Sequence, residues 1–179
     1  MEALVETAIQ FVRDNRDWAG PIAFFFAFAE TLALASILIP STAILIGAGA
    51  VVATGALAFK PIWIGGPIGA ILGSTISYLL GSRFGPTIMG WWPMNRYPHL
   101  VTKASEVFAK YGIITVLIGH FFGPLRAVVF LMAGIARMKL PLFLVVNIIG
   151  CIAWAFFVPK SGELGGNAAW WIWEQLTGR

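Results

Sequence analysis

The chain has 179 residues, of which 59% are hydrophobic and only 11% are charged, and its mean hydropathy is +0.84. A water-soluble domain of this length needs far more polar surface, so the composition excludes that class and indicates an integral membrane protein. The net charge of +4 is modest and spread along the chain, which excludes the basic footprint of a nucleic-acid-binding protein. The length suits a single membrane domain over residues 1–179.

Amphipathic and apolar segments alternate along the chain. The first residues are charged and amphipathic, so no cleavable signal peptide is expected. Polar residues recur at helical spacing over 3–16 and again over about 99–110, within the polar stretch 83–110, and these patterns predict helices in the membrane interface. A Trp-rich tail predicts a C-terminal interfacial helix over about 164–177. The apolar segments between them are residues 20–39, 42–59, 62–82, 111–136 and 140–159.

Residues 111–136 are interrupted at Gly123-Pro124. A crossing helix needs about 20 residues, so neither half is long enough to cross by itself. Two structures remain open: one kinked crossing, or a re-entrant hairpin that turns at Gly123-Pro124 and leaves by the face it entered. The pattern favours the hairpin, whose turn must then be buried in protein or line a wet cavity.

The two halves of the chain share an order of features. Repeat 1 covers about residues 3–86 and repeat 2 about 98–160; each has an amphipathic helix, an apolar segment broken at a proline (Pro40 or Pro124) and a glycine-containing span. With one full crossing per half, the halves enter from opposite faces. The predicted fold is therefore an all-α integral membrane protein, an inverted repeat of a re-entrant helical hairpin plus a transmembrane helix, with interfacial amphipathic helices. Lys and Arg are divided almost evenly between the two faces, so the orientation stays open.

Three ionisable residues lie inside apolar segments: Glu30, His120 and Arg126. A charge at the centre of a bilayer costs about 2.5–3.5 kcal/mol on insertion scales, so Glu30 and Arg126 are expected to pair or to face water. One interpretation is a structural bridge between two hairpins; the other is a binding or coupling site beside broken helices. His120 is open to two roles, as a neutral hydrogen-bonding residue or as a proton-responsive one.

The proline breaks predict an anion pocket. A helix that begins after Pro124 directs its free N–H groups and positive dipole end at the turn, and Arg126 adds a guanidinium suited to phosphate. The first half repeats the arrangement at Pro40, where Ser41 and Thr42 offer hydroxyl groups. Two helix N-termini with an arginine favour anion binding, although ordinary helix capping explains Ser41 and Thr42 equally well.

Four segments carry a resemblance to a known family: ETLALASILIPSTAILIGAGAV, GAILGSTISYLLGSRFG, GHFFGPLRAVVFLMAGIARM and FLVVNIIGCIAW. From about residue 20 to 166 the chain resembles the DedA family of bacterial inner-membrane proteins, also called the SNARE-associated or VTT-domain superfamily. The resemblance implies lipid transport: flippases that recycle undecaprenyl phosphate, transporters driven by the proton-motive force, and scramblases. Glu30 matches the intramembrane acid of the family and Arg126 its second hairpin arginine.

The match is incomplete at three polar positions. Thr42 and Ser74 stand where many members have an acid, and His120 stands where many have a first arginine. These differences affect the coupling to protons more than the fold.

The sequence therefore predicts a multi-pass protein of the bacterial inner membrane that moves an anionic lipid phosphate, such as undecaprenyl phosphate or a phospholipid, across the bilayer. Glu30 is expected to act as switch or counter-ion and Arg126 as phosphate clamp, with His120, Ser41 and Thr42 as polar lining. The alternatives are a small oxyanion or ion carrier, a membrane-embedded lipid phosphatase, and a structural assembly factor.

No enzyme is expected, because the sequence has no nucleophile–base pair, no carboxylate-rich metal motif and no phosphate-binding loop. The prediction thus includes no catalytic residue, no metal and no cofactor. The single cysteine, Cys151, is expected to serve packing. The expected partners are membrane lipids and not nucleic acid; a homo-oligomer is compatible with the sequence, which leaves the oligomeric state open.

Overall fold

The structure, a computed structural model, describes residues 14–32, 41–90, 98–121 and 126–177. Within these ranges the protein is all-helical, as its sequence predicts. A 3-10 turn at Arg16–Trp18 precedes six α-helices: α1 (Ala19–Thr31), α2 (Ser41–Ala53), α3 (Phe59–Met89), α4 (Pro98–Gly119), α5 (Arg126–Ile135) and α6 (Leu140–Thr177).

Two helices are long and apolar enough to cross a membrane. They contain the segments Phe59–Gly85 in α3 and Leu140–Ala168 in α6. At 1.5 Å per residue such segments are about 40 Å long, which exceeds the hydrocarbon thickness of about 30 Å. Helices α3 and α6 therefore provide the two candidate crossings in the described part of the chain.

The other apolar helices are too short to cross. Helices α1 and α2 have 13 residues each, and α5 has 10. Helix α4 is divided at Gly112, whose φ of 30° and ψ of −93° are non-helical. Its apolar part spans Lys110–Gly119, which is 10 residues. The break lies next to the predicted boundary between the amphipathic helix 99–110 and the apolar segment that begins at residue 111.

The short helices pack in an exchanged pattern around α3 and α6, which also contact each other. Helix α1 packs on α3, the long helix of its own half, whereas α2 packs on α6 of the other half. In the second half α4 packs on its own α6, and α5 packs on α3. Each half thus packs one of its other helices on its own long helix and one on the long helix of the other half.

Glycines allow two of these contacts to be close. A Cβ atom at Gly69 of α3 would overlap the carbonyl oxygen of Phe24 in α1, and one at Gly134 of α5 would overlap that of Tyr78 in α3. Small residues at such positions let the backbones of neighbouring membrane helices approach, as the glycine-rich sequence of α3 predicts.

The surface of the long helices is apolar and the interior is partly polar. Large apolar side chains are 40–50% exposed along one face of α3, at Ile64, Ile68, Leu72, Ile76 and Leu79. The buried residues include several polar and charged ones: Glu30, Thr31, Ser74, Ser77, His120, Arg126 and Asn147. This distribution suits a chain surrounded by hydrocarbon, because lipid tails solvate the exposed apolar face.

Two helices continue beyond the apolar segments that predict them. Helix α3 continues beyond residue 82 to Met89, and α6 continues through Pro159 to Thr177. The segment 164–177 is accordingly the end of α6 and not a separate helix. In α3, polar residues such as Arg83 mark where the helix leaves the apolar layer and not where it ends. In α6, one proline inside a long helix removes only one hydrogen-bond donor.

Several predictions lie outside the described residues. They include most of the amphipathic helix over 3–16 and the turn residues Pro40, Gly123 and Pro124. The interfacial position of residues 164–177 stays a prediction.

Candidate functional site

A buried ion pair joins α1 to α5. Nη2 of Arg126 donates to Oε2 of Glu30, and the two side chains are 0% and 1% exposed. The residues are 96 positions apart in the chain. Breaking a pair at this depth leaves an uncompensated charge, so the two groups depend on each other.

Both charges lie at helix ends that disfavour them. Glu30 is in the last turn of α1, which ends at Thr31, and Arg126 is the first residue of α5. The helix dipole is negative at a C-terminus and positive at an N-terminus, so each charge meets a dipole end of its own sign. Neither charge is therefore stabilised by the dipole of its own helix, and each depends on the other for compensation.

Helix α2 reaches the same place. Thr42, its second residue, donates its hydroxyl to Oε1 of Glu30 at 3.1 Å. The Thr42 hydroxyl thus donates to the carboxylate of the ion pair. Ser41 begins α2, but its side chain lies outside the described part.

The guanidinium group is only partly satisfied. Its carbon lies 3.9 Å from the ring centroid of Trp154 in α6, a cation–π contact, while its Nε and Nη1 atoms have no hydrogen-bond partner among the residues that the structure describes. These two nitrogens carry three N–H bonds and are fully buried. Unpaired buried donors on a charged group are costly, and they are the groups that an anionic oxygen would satisfy.

His120 belongs to a second polar cluster, which adjoins the Glu30–Arg126 pair. Its Nδ1 lies 2.7 Å from the carbonyl oxygen of Val116, and its Nε2 lies 3.2 Å from Oδ1 of Asn147 in α6. Nδ2 of Asn147 donates to Oγ of Ser74 at 2.7 Å, which links the cluster to α3. All three polar side chains are 0% exposed.

Packing holds the His120 ring in place. Phe130 of α5 lies beside it with a centroid distance of 4.9 Å, and Gly150 of α6 lies so close that a Cβ atom there would overlap the ring. Cys151 is buried in the apolar core, as its sequence context predicts, and its Sγ is also 3.5 Å from Nε2 of His120.

The structure brings together Glu30, Arg126 and Thr42 in one cluster and places His120 in the neighbouring one. The two clusters adjoin on α5, where Arg126 and Phe130 are a turn apart, and on α6, where Cys151 and Trp154 are a turn apart. The functional roles of these residues stay predictions.

Sequence reasoning missed Asn147 and Trp154. Asn147 is the one amide in the apolar segment 140–159, a signal that could have been used. Trp154 gives no such signal, because tryptophan is common at membrane interfaces and in apolar segments.

Comparison with known proteins supports a membrane family. The VTT domain profile matches residues 39–164. The chain is 33% identical over 168 residues to "Inner membrane protein YabI" of Escherichia coli (strain K12), a match that covers 94% of this chain and 65% of that protein. It is 33% identical over 135 residues to an "Uncharacterized membrane protein" of Buchnera aphidicola subsp. Schizaphis graminum, covering 74% and 54%.

A third relative is an uncharacterized membrane protein of Mycobacterium leprae (strain TN), 31% identical over 168 residues, with 86% of this chain and 74% of that protein covered. The chain spans slightly less than two thirds of the E. coli protein and about half of the Buchnera protein. No solved structure matches the chain.

Proposed function

The chain belongs to the VTT-domain (DedA) family of membrane proteins, and on that premise we propose that it is a transporter that moves an anionic lipid phosphate across the bacterial inner membrane. Undecaprenyl phosphate and glycerophospholipids are the candidate substrates. The headgroup would cross through the Glu30–Arg126 site while the hydrocarbon tails stay in the bilayer. The proposal includes no covalent step.

One observation carries the proposal: a fully buried arginine, beside its own counter-ion, has two guanidinium nitrogens without a partner in the described part of the chain. Phosphate oxygens would satisfy these donors, because guanidinium and phosphate form charge-assisted hydrogen bonds of matching geometry. Glu30 would compete with the phosphate for Arg126 and would take the arginine back when the headgroup leaves.

The packing pattern supports a site near the middle of the membrane. We propose that α1 with α2, and the apolar part of α4 with α5, are re-entrant hairpins of an inverted repeat. The exchanged contacts support this arrangement, since each half packs one short helix on its own crossing and one on the other. Ser74, in the polar cluster next to the ion pair, is the middle residue of the 31-residue helix α3, which fits a site at mid-membrane depth.

The decisive experiment is leaflet exchange in reconstituted vesicles. Purified protein would be tested with labelled undecaprenyl phosphate and, separately, labelled phosphatidylethanolamine. The wild type is expected to accelerate exchange of at least one of them, and Arg126→Gln is expected to lower the rate about tenfold or more, because a hydrogen bond to a charged group contributes about 1.5–3 kcal/mol. Exchange at the rate of empty vesicles with both lipids would overturn the proposal.

A matched control removes a different cation. Lys160 and Glu163 form the other ion pair in the described part of the chain, and Lys160 is 40% exposed. Lys160→Gln is expected to leave exchange unchanged, so a general effect of lost charge can be separated from loss of the Arg126 site.

The same vesicles distinguish the alternatives. Flux of free inorganic phosphate without lipid exchange would indicate a small oxyanion carrier, and release of phosphate from the lipid would indicate a phosphatase. Arg126→Lys adds a further criterion: transport is expected to fall while folding is retained, because lysine cannot reproduce the planar donor geometry. A scaffold would tolerate that change.

A further inference from the structure

A row of three buried polar side chains crosses the molecule beside the ion pair. His120 at the end of α4, Asn147 in α6 and Ser74 in α3 are hydrogen-bonded in sequence and fully buried. They lie between two apolar clusters, one containing Ala70 and Cys151 and the other Tyr78 and Val146. Polar groups in such surroundings are costly unless every donor and acceptor is paired, so their hydrogen-bond directions are tightly constrained.

The donors and acceptors identify the titrating atom. A carbonyl oxygen only accepts, so Nδ1 of His120, 2.7 Å from the Val116 oxygen, carries a hydrogen in both charge states. Protonation of the ring therefore occurs at Nε2. That atom faces Oδ1 of Asn147 at 3.2 Å.

The observed direction of the row suits a protonated ring. Oδ1 only accepts, so it pairs with an Nε2–H donor and also receives the Cys151 thiol at 3.6 Å. Nδ2 of Asn147 donates to Ser74, and the Ser74 hydroxyl donates to the carbonyl oxygen of Ala70 at 2.6 Å. A neutral ring would present the Nε2 lone pair to Oδ1. If the Asn147 amide group then rotates by half a turn, the hydrogen bonds of the row reverse their direction. Nδ2 donates to Nε2 of His120, and Oδ1 accepts the hydrogen of the Ser74 hydroxyl, which no longer donates to Ala70.

The ring itself has little room to respond. It is held by Val116, by Phe130 and by the backbone of Gly150. A change of charge on His120 is therefore accommodated by rotation of the Asn147 amide and the Ser74 hydroxyl and not by movement of the imidazole.

We propose that Asn147 is a positioning residue that sets the protonation equilibrium of His120 and transmits its charge state to helix α3 through Ser74. The charged and titratable groups that face the ring are Arg126 of α5 and Cys151 of α6, with Glu30 of α1 beyond Arg126. A proton on His120 adds a positive charge beside a site whose Glu30–Arg126 pair is neutral overall. An entering anion and a proton therefore favour each other's binding. This link to transport rests on the proposed function, whereas the role of Asn147 does not.

The test uses the whole 179-residue chain with a single imidazole. The sequence has two histidines, so His99→Gln leaves His120 alone, and ¹⁵N-labelled histidine then reports the charge state and tautomer of that ring directly by NMR. The wild-type ring is expected to pass from doubly protonated to the Nδ1–H form as the pH rises. Asn147→Leu removes the acceptor at similar size and is expected to move the midpoint down by about one pH unit, since one unit corresponds to a single charge-assisted hydrogen bond.

Two further variants keep the test decisive if Asn147→Leu fails to fold. Asn147→Asp is expected to move the midpoint in the opposite direction, because a carboxylate accepts from Nε2–H and adds a negative charge. Ser74→Ala is expected to lower the midpoint by less than Asn147→Leu. Thr75→Val is the matched control, since the Thr75 hydroxyl bonds to the carbonyl oxygen of Ile71 in its own helix.

An unchanged midpoint in both Asn147 variants would overturn the inference, as would a midpoint that follows Cys151→Ala in place of Asn147. The pH profile of lipid exchange provides the second arm. A midpoint in exchange that tracks the NMR midpoint across the variants supports the link to transport. If the NMR midpoints respond but no variant or wild type exchanges lipid, the role of Asn147 stands and the proposed function fails.

Discussion

The carbon of the Arg126 guanidinium lies 3.9 Å from the centroid of the Trp154 ring while one of the guanidinium nitrogens is held by Glu30. The indole packs against the cation, and the ion pair restricts its rotation. The unpaired nitrogens therefore point in fixed directions, which is the preorganisation that a binding site for a planar donor group needs.

Trp154 should be tested at two levels of truncation. Trp154→Phe keeps an aromatic face, whereas Trp154→Leu removes it, and a desolvated cation–π contact contributes about 2 kcal/mol. We expect lipid exchange to fall about tenfold or more in the Leu variant and less in the Phe variant. Thermal unfolding in detergent, measured alongside, separates lost packing from lost orientation; equal exchange rates in the two variants would show that the aromatic face is irrelevant.

The Glu30–Arg126 pair should appear as coupling in a double-mutant cycle. Either Glu30→Gln or Arg126→Ala strands a buried charge and is expected to lower the free energy of unfolding by about 3–5 kcal/mol. The double variant is expected to lose less than the sum of the two, because neither charge remains.

The surface pair Lys160–Glu163 supplies the control for that cycle. Exposed pairs contribute about 0–1 kcal/mol, so Lys160→Gln and Glu163→Gln are expected to be nearly neutral and additive. Strictly additive losses at Glu30 and Arg126 as well would mean that the two side chains do not interact in the folded protein.

The ion pair was predictable from the sequence, and its surroundings were not. Charges inside apolar segments stand out because they are costly in hydrocarbon, so Glu30 and Arg126 could be identified before their contact was known. Asn147 is neutral and Trp154 is apolar over most of its surface, so neither breaks the pattern strongly. Only the packing of α6 against α3 and α4, and the contact of Trp154 with Arg126, reveal what these two residues do in the fold.

Helix ends were the least predictable part of the fold. The sequence locates the apolar layer well, since the predicted segments 62–82 and 140–159 lie within α3 and α6. It does not locate the ends of the helices. Arg83 changes only the polarity of α3, and Pro159 removes only one hydrogen-bond donor from the backbone of α6. Neither residue supplies a competing backbone conformation. Gly112 differs, and there a predicted boundary and an observed break nearly coincide.

Thr42 offers a test of the carboxylate environment. Thr42→Val removes the hydroxyl that donates to Glu30 and keeps the β-branched shape. Since Glu30 then loses one donor, we expect a loss of about 1–3 kcal/mol in the free energy of unfolding. Thr75→Val, which removes a hydroxyl bonded within its own helix, is expected to cost less, and an equal loss in the two variants would indicate that the Glu30 contact is not special.

Gly150 gives the most direct test of how His120 is held. A Cβ atom at this position would lie within 2.8 Å of three atoms of the imidazole, which is itself bonded to Val116 and Asn147. Gly150→Ala must therefore displace the ring or the helix, and overpacking of this kind costs about 1–3 kcal/mol. We expect a lower unfolding temperature in detergent and a weakened His120–Asn147 bond, seen as a shifted ¹⁵N midpoint of the His120 ring.

Gly165, on the same helix, is the matched control for that change. A Cβ atom there meets nothing within 4 Å, so Gly165→Ala brings only the better helix propensity of alanine, up to about 1 kcal/mol of stabilisation. Opposite signs for the two substitutions are the expected result. If Gly150→Ala also stabilises the protein and leaves the His120 midpoint unchanged, the ring is not confined by α6, and the fixed-ring argument for Asn147 fails with it.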